Sequence, residues 1–335
     1  MGIGTLPDLN RAYELYASVD LGGTKIACAL AEADGRILGE STIPTQSHQG
    51  PEAVLQRIAD QVSGLAKEIG RQPAALGMGV PGLADLQRGT TRFLPNLPTH
   101  WRDVPVRERL SPLVGCPVYL LNDVRMATLG ELIYGHGRTA GTMAFLALGT
   151  GIGGGVVVDG VLRLGPLGAA GEIGHQTILP DGPLCGCGNR GCLEALASGP
   201  AITAEGIRLL LMGQAPTLHT LVRGDLGLVS PKTLAVAASD DPAIRSTLVR
   251  AAEYLGIGVA NVITILHPDL VVLGGGVAEI GPLLFDTVRE TVKQRVRMFP
   301  VDEIRIERSL LGEKAGMLGG IALASRRGIL GSKNR

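Results

Sequence analysis

MAFLALGTGIGGGVVVDGVLRLG, residues 143–165, reads as an apolar run, a Gly-Thr-Gly turn, a second apolar run, an Asp159-Gly160 turn and a third strand. Gly149, Gly151 and Gly154 match G-x-G-x-x-G literally. A dinucleotide-binding turn opens a helix, whereas VVVDG continues as strand, so that reading fails. No G-K-[ST] occurs in the chain, which removes a Walker A loop. A glycine-turned β-ribbon remains. The same design occurs earlier in ASVDLGGTKIACAL (17–30), followed by an Asp34-Gly35 turn into RILGESTIP. One ribbon used twice, about 130 residues apart, predicts an internal duplication.

The first ribbon presents Asp20, Gly22, Gly23, Thr24 and Lys25 at its bend. Glycine N–H groups and a threonine hydroxyl suit phosphate oxygens, and Asp20 suits the water shell of Mg²⁺. The bland alternative is an ordinary glycine-rich hairpin. The second bend repeats the offer.

Residues 172–194, EIGHQTILPDGPLCGCGNRGCLE, form a long Gly-rich segment with few apolar residues, which core burial cannot hold in place. His175, Cys185, Cys187 and Cys192 make a complete tetrahedral Zn²⁺ set. A disulfide is disfavoured, because the cluster is odd and two of its cysteines are one residue apart. Four protein ligands close the site, so the metal is expected to be structural. It would fix the two bracketing carboxylates, Glu172 and Glu194.

The 335 residues suggest two lobes. Thirty-one basic and 31 acidic residues balance, so nothing favours nucleic acid or an anionic membrane. Aromatics are 3%, and the core is therefore expected to be aliphatic. Five cysteines, three in one cluster, fit a reducing compartment with bound metal. The N-terminus lacks an apolar signal-peptide core and no run is expected to reach transmembrane length, which reads as a soluble, cytoplasmic protein.

Elsewhere, residues 51–70 have helical periodicity, 75–85 read as a buried strand with a turn, and 94–101 as a Pro-broken loop carrying Asn96 and the single Trp. Residues 103–115 read as helix and 116–123 as a strand ending at Asn122-Asp123. That pair suits either a site at a strand's carboxyl end or the N-cap of the next helix. Residues 194–211 read as one helix, 215–234 as irregular, and 242–266 as a long apolar helix. A strand then ends in Gly274-Gly275-Gly276, where a flat ring or ribose can approach backbone, or which is a plain turn. Helices over 282–297 and 314–326, with a strand between them, close the chain.

With these pieces placed, the chain resembles the ROK family (repressors, open reading frames and sugar kinases) of the actin-like ATPase superfamily. DLGGTK (20–25 with its leading acid), GVPG (79–82), Asn122-Asp123, GTGIGGG (149–155), EIGH (172–175) and CGCGNRGCLE (185–194) occur in the family's order, over residues 18–326. The resemblance implies an α/β, two-lobed actin-like (ribonuclease H-like) fold of duplicated mixed sheets flanked by helices, with the site in the cleft and a structural zinc loop. The division it implies is an N-terminal extension (1–17), a small lobe (18–122) on which the C-terminal helix (314–335) packs, and a large lobe (123–313).

The resemblance further implies ATP-dependent phosphorylation of a hexose 6-hydroxyl, most simply of glucose, with Asp123 as general base. Asn96, Asn122, Asp123, Glu172, His175 and Glu194 would contact the sugar, and His175 would also ligate zinc. Gly22, Gly23, Thr24, Lys25, Thr150 and Gly151 would hold ATP phosphates, Gly275 and Gly276 would lie near adenosine, and Asp20 would position Mg²⁺. N-acetylmannosamine or N-acetylglucosamine kinase is the main alternative, ahead of a fructokinase or a non-catalytic sugar sensor. Repressors of this type carry a helix-turn-helix domain ahead of the first ribbon, and only 19 residues precede Asp20 here, so no nucleic-acid partner is expected. A homodimer or homotetramer is expected from the family. Arg125 departs from the small residues that usually follow Asn-Asp, and is expected either to be a surface residue or to alter the cleft rim.

Overall fold

The computed structural model describes residues 14–331. The first 13 residues of the expected N-terminal extension and the last four of the expected C-terminal helix lie outside them. The chain divides into two compact units. One runs up to Thr139 and includes Gly160–Ala170 and the chain from Glu313. The other comprises Ala140–Asp159 and Gly171–Gly312.

In the first unit the ribbon is β1 (Leu15–Leu21) paired antiparallel with β2 (Lys25–Glu32), and β3 (Ile37–Pro44) pairs antiparallel with β2. On the other side of β1 lie β4 (Pro73–Val80) and then β7 (Val118–Asn122), both parallel. A small hairpin, β5 (Leu83–Asp85) and β6 (Thr90–Phe93), lies between them in sequence. In the second unit β8 (Met143–Leu148) pairs antiparallel with β9 (Ile152–Val158), then parallel with β11 (Leu270–Gly274), which pairs parallel with β12 (Arg305–Arg308). The orders β2-β1-β4-β7 and β9-β8-β11-β12 are the same pattern, so the duplication legible in the two ribbons extends through each sheet. β10 (Val161–Arg163) is reached through Asp159 and Gly160, whose φ of 57° and 70° suit the tight turn of a twisted hairpin.

Helix α1 (Gly50–Ile69) buries Val54, Leu55, Ile58, Ala59, Val62, Leu65 and Ala66, a 3–4 spacing that faces the aliphatic core of the first unit. α2 (Val106–Val114) packs beside α1. α3 (Asp123–Tyr134) follows β7 directly and packs against α10 (Ala315–Ser325). α10 is apolar up to its last residue and buries Ala315 and the run from Leu318 to Ala324, as a largely enclosed helix must. It approaches its neighbours so closely that a Cβ on Gly319 would run into the carbonyl oxygen of Met126, and one on Gly77 of β4 into that of Gly320. A Gly319→Val variant is therefore expected to lose several kcal/mol of stability, at or beyond the upper end of the 1–3 kcal/mol typical of overpacking. A thermal midpoint within about 2 °C of the parent would contradict this close packing.

α3 belongs with this unit through that packing, so the boundary expected at 122/123 falls at 139/140, and residues 160–170 return to the first unit. β1 begins at Leu15, inside the expected extension. The closing helix ends at Ser325, short of the expected span to 335.

The second unit carries α4 (Leu193–Ala197), α5 (Gly199–Leu211), α6 (Pro216–Val222), α7 (Pro231–Ala237), α8 (Pro242–Leu266) and α9 (Pro282–Arg295). The single helix expected over 194–211 is two, because extended Ser198 (φ −71°, ψ 165°) ends the first and caps the second through Ala201 N. The segment expected to be irregular holds α6 and α7. Each starts at a proline, and α7 is fixed by a reciprocal cap between Ser230 and Thr233. α8 is long and apolar enough to cross a membrane, contrary to the expectation that no run reaches that length. Ile244, Leu248, Ala252, Leu255, Val259 and Ile263 instead pack into the core of the unit.

Candidate active site

In the first unit, the β1–β2 bend is held from outside. Thr45 Oγ1 donates to the carbonyl of Gly22 at 2.8 Å, and Thr45 N to that of Thr24 at 2.9 Å. Gly22 N donates to Lys25 O at 2.9 Å. A Cβ at Gly23 would lie 3.0 Å from the carbonyl oxygen of Asn96, so glycine lets the bend meet the exposed Asn96 turn. Thr24 and Lys25 are exposed. Asp20, near the end of β1, lies close to Gly79 and Gly316, where a Cβ would come within 3.4 and 3.3 Å of its carboxylate oxygens. Burial raises the Asp20 pKa above the usual aspartate value, and Lys25 pulls it back.

Asn122 and Asp123 stand where β7 passes into α3, so the end of a strand and the cap of a helix coincide. Asn122 is the N-cap: its Oδ1 accepts from Val124 N at 3.1 Å and Arg125 N at 3.2 Å. Its amide donates to Asp123 Oδ1 at 2.9 Å and to Gly82 O at 3.2 Å. Both amide hydrogens are thus engaged, and a sugar hydroxyl accepting from Asn122 would have to displace one of these bonds. Asp123 Oδ1 also accepts from Val124 N at 2.8 Å. Both bonds fall on Oδ1, which leaves Oδ2 for an incoming hydroxyl. Burial, with the Asp20 carboxylate adding to it, pushes Asp123 up to about 6, against the pull of Val124 N–H, the Arg125 charge and Asn122.

Gly82 has a role that the GVPG motif does not reveal by itself. β4 pairs Val80 with Asn122, and that register places the Gly82 carbonyl within reach of the amide. Arg125 is not at the surface: it is 2% exposed and donates to Asn122 and to the carbonyls of Ala169 and Ala170.

In the second unit, the β8–β9 bend closes through Gly149 N to Gly151 O at 2.9 Å. Glu194, in the first turn of α4, accepts from Ile152 N at 2.9 Å. A Cβ at Gly151 would run into that carboxylate, so glycine lets the ribbon bend and Glu194 share one place. Thr150 is exposed at the tip. Gly275 has φ 86°, and a Cβ there would run into β8 at Leu148, whereas Gly276 faces open space. The two readings of the glycine run therefore separate: Gly275 answers to chain packing, and Gly276 leaves room.

The 172–194 segment brings its histidine and cysteine donors together. One donor atom each from His175, Cys185, Cys187 and Cys192 lies within 4.8 Å of the others. His175 Nδ1 and Cys185 Sγ are 3.7 Å apart, as are the sulfurs of Cys187 and Cys192. Zn–S bonds of about 2.3 Å make the edge of a tetrahedron about 3.8 Å, so the residues fit Zn²⁺. Burial pushes the Cys185 and Cys192 thiols up, whereas backbone N–H of Asn189 pulls Cys187 down. A cation would reverse the first two and release their protons. Cys185 Sγ also lies 3.8 Å from Glu194 Oε1, so the donor cluster, Glu194 and the ribbon bend form one connected group. Glu172, exposed, precedes the short turn Ile173–His175.

The family model for ROK proteins matches residues 16–327. This chain belongs to the ROK family. It is 37% identical over 313 residues to a glucokinase of Thermotoga maritima, covering 92% of this chain and 96% of that one. A xylose repressor of Caldicellulosiruptor bescii is 30% identical over 322 residues, covering 95% of this chain and 80% of the repressor. Among solved structures, a ROK glucokinase from Streptomyces griseus, in complex with glucose and AMPPNP, is 33% identical with a TM-score of 0.79, covering 92% and 99% of the two chains. The ROK fold is the actin-like ATPase fold, and the two mixed sheets described above are its duplicated core.

Proposed function

We propose that this ROK protein, an ATP-dependent sugar kinase, phosphorylates glucose at the 6-hydroxyl with Asp123 as general base. The observation that carries the base is the carboxylate at the start of α3, tied at Oδ1 and held by its surroundings at about 6. A base with a pKa just below the working pH is ionised yet still proton-seeking. The glucokinase relatives support glucose as the acceptor.

In this reading Asp123 orients the hydroxyl and accepts its proton late, as phosphoryl transfer asks mainly for positioning and charge stabilisation. Asn96, Glu172, His175 and Glu194 hold the other sugar hydroxyls, while Asn122, whose amide hydrogens are engaged by Asp123 and Gly82, acts on the sugar through Asp123 or by exchanging one of those bonds. His175 offers Nε2 to the sugar, since its Nδ1 is the nitrogen beside Cys185. Gly23, Thr24, Lys25, Thr150 and Gly151 would take the phosphates of Mg²⁺-ATP, with the Gly22 N–H closing the bend onto Lys25 O, Asp20 would orient the water around Mg²⁺, and Gly276 leaves room for adenosine. His175 and the three cysteines would hold Zn²⁺, which with four protein ligands would supply rigidity to the loop rather than Lewis-acid chemistry.

The test is ADP release with Mg²⁺-ATP against glucose, mannose, fructose, N-acetylglucosamine and N-acetylmannosamine. The expected result is a kcat/KM for glucose at least tenfold above any other. A preference for an N-acetylhexosamine would replace glucose by the bulkier substrate and leave the base assignment standing.

A further inference from the structure

We propose that Arg125 is a positioning residue for this reaction: its guanidinium locks the Asn122 side chain, and through it the Asp123 carboxylate, against the backbone carbonyls of Ala169 and Ala170. A buried guanidinium is costly unless it is well hydrogen-bonded. Arg125 sits on the first turn of α3, and its neighbours answer with oxygens. Nη1 donates to Asn122 Oδ1 at 3.1 Å, Nη2 to Ala169 O at 3.1 Å and Ala170 O at 3.0 Å, and Nε to Ala170 O at 3.2 Å. Only a planar fork can span two consecutive carbonyls and a third acceptor at once.

The effect on Asn122 is specific. Its Oδ1 faces three donors, Val124 N, Arg125 N and Arg125 Nη1. An amide turned the other way would point its NH₂ at all three, so this side of the amide must be the oxygen. The NH₂ is then forced towards Asp123 Oδ1 and Gly82 O. Arg125 thereby helps choose which group Asp123 meets, and keeps its Oδ2 available to substrate. The other end of the clamp fixes the backbone of Ala169 and Ala170, two residues before Glu172. The loop that supplies them is turned by Gly165 and Gly168, at φ 66° and 76°, and closed by Ala170 N to Leu164 O at 2.9 Å.

The proposal rests on Asp123 being the base, and its test separates the two. Arg125→Lys and Arg125→Met are compared with the parent and with Asp123→Asn, all in the full chain, for kcat, the KM of glucose, the KM of ATP and the thermal midpoint. Arg125→Met is expected to lower kcat/KM for glucose at least tenfold while the KM of ATP stays within twofold. Lysine keeps the charge but not the fork, so Arg125→Lys is expected to recover only part of that loss. Should Arg125→Met fail to fold by circular dichroism, Arg125→Lys decides, with a loss of at least threefold expected. Parental kcat/KM for glucose in Arg125→Lys, or a fall in thermal midpoint with all kinetic constants unchanged, overturns the proposal. If Asp123→Asn is inactive while the Arg125 variants work normally, the clamp is wrong and the base stands. If Asp123→Asn turns over normally while the Arg125 variants lose glucose selectively, the base is wrong and the clamp still orders Asn122.

Discussion

Asp123→Asn should lower kcat by a factor of about 10²–10⁴, the range that a positioned general base supplies, with the affinity for glucose within a few-fold of the parent. The replacement keeps an oxygen for the bonds from Asn122 and Val124 N and removes only the proton acceptor. The same variant should be more stable than the parent at pH 8. Burial lifts the folded-state pKa of Asp123 from 3.8 to about 6, with the Asp20 carboxylate adding to the rise. A raised acid pKa means that the fold favours the protonated form. Stability is therefore lost as pH rises from 3.8 to about 6 and stays lower above it. A rise of that size corresponds to roughly 3 kcal/mol as an upper bound. The thermal midpoint of the variant should exceed the parent's at pH 8 and lose that advantage below pH 4. In the parent, kcat should fall as pH drops through about 6. Near-parental turnover in Asp123→Asn would remove it as base, and a flat kcat from pH 5 to 8 would contradict the raised pKa.

The second large effect concerns the metal cluster. Cys187→Ala should cut the zinc content of the purified protein from about one per chain to near zero and raise the KM of glucose at least tenfold, with a smaller change in the KM of ATP. Turn hydrogen bonds such as Gly191 N to Pro183 O and Ile178 N to Gly191 O link this stretch, but few apolar side chains anchor it. Among its described residues Leu179, Leu184, Gly186, Gly188, Asn189 and Arg190 are exposed. The bridges Thr177–Cys192 and Leu184–Arg190 are single and isolated. Loss of one thiolate opens the tetrahedron and frees His175 and Glu194, which carry the proposed sugar contacts. Binding free energy in such loops is largely folding free energy. Metal analysis by mass spectrometry, with glucose kinetics on the same samples, checks both halves. A metal-free parent with full activity would show that the three thiols and the imidazole are neighbours without a ligand's role.

What the sequence displays and what it hides follow from the kind of interaction involved. The two ribbons are legible because a glycine bend between apolar runs leaves a local pattern, and the repeat carries the rest of each sheet with it. The cysteine cluster is legible because metal ligation needs particular residue types at short spacing. α6 and α7 escape because seven residues are too few for a helical period to emerge, although a proline at the first turn and the Ser230–Thr233 cap are present. The break at Ser198 is hidden because alanines and leucines continue on both sides of it. The burial of Arg125 is hidden for a different reason: its partners at 169 and 170 are backbone carbonyls, which carry no sequence signature. The boundary near residue 123 fails similarly, since the glycine-mediated contact of α3 with α10 joins residues almost 200 positions apart. Asn122 shows that competing readings need not exclude each other, as one side chain caps α3 and also holds Asp123.

Phosphorylation of glucose at the 6-hydroxyl is tested most directly by phosphorus–proton correlation NMR of the product formed from Mg²⁺-ATP and glucose. The expected result is a single phosphoester whose phosphorus couples to the two protons on carbon 6, formed in step with ADP. Coupling to the anomeric proton, or ADP formation without any sugar phosphoester, would contradict it.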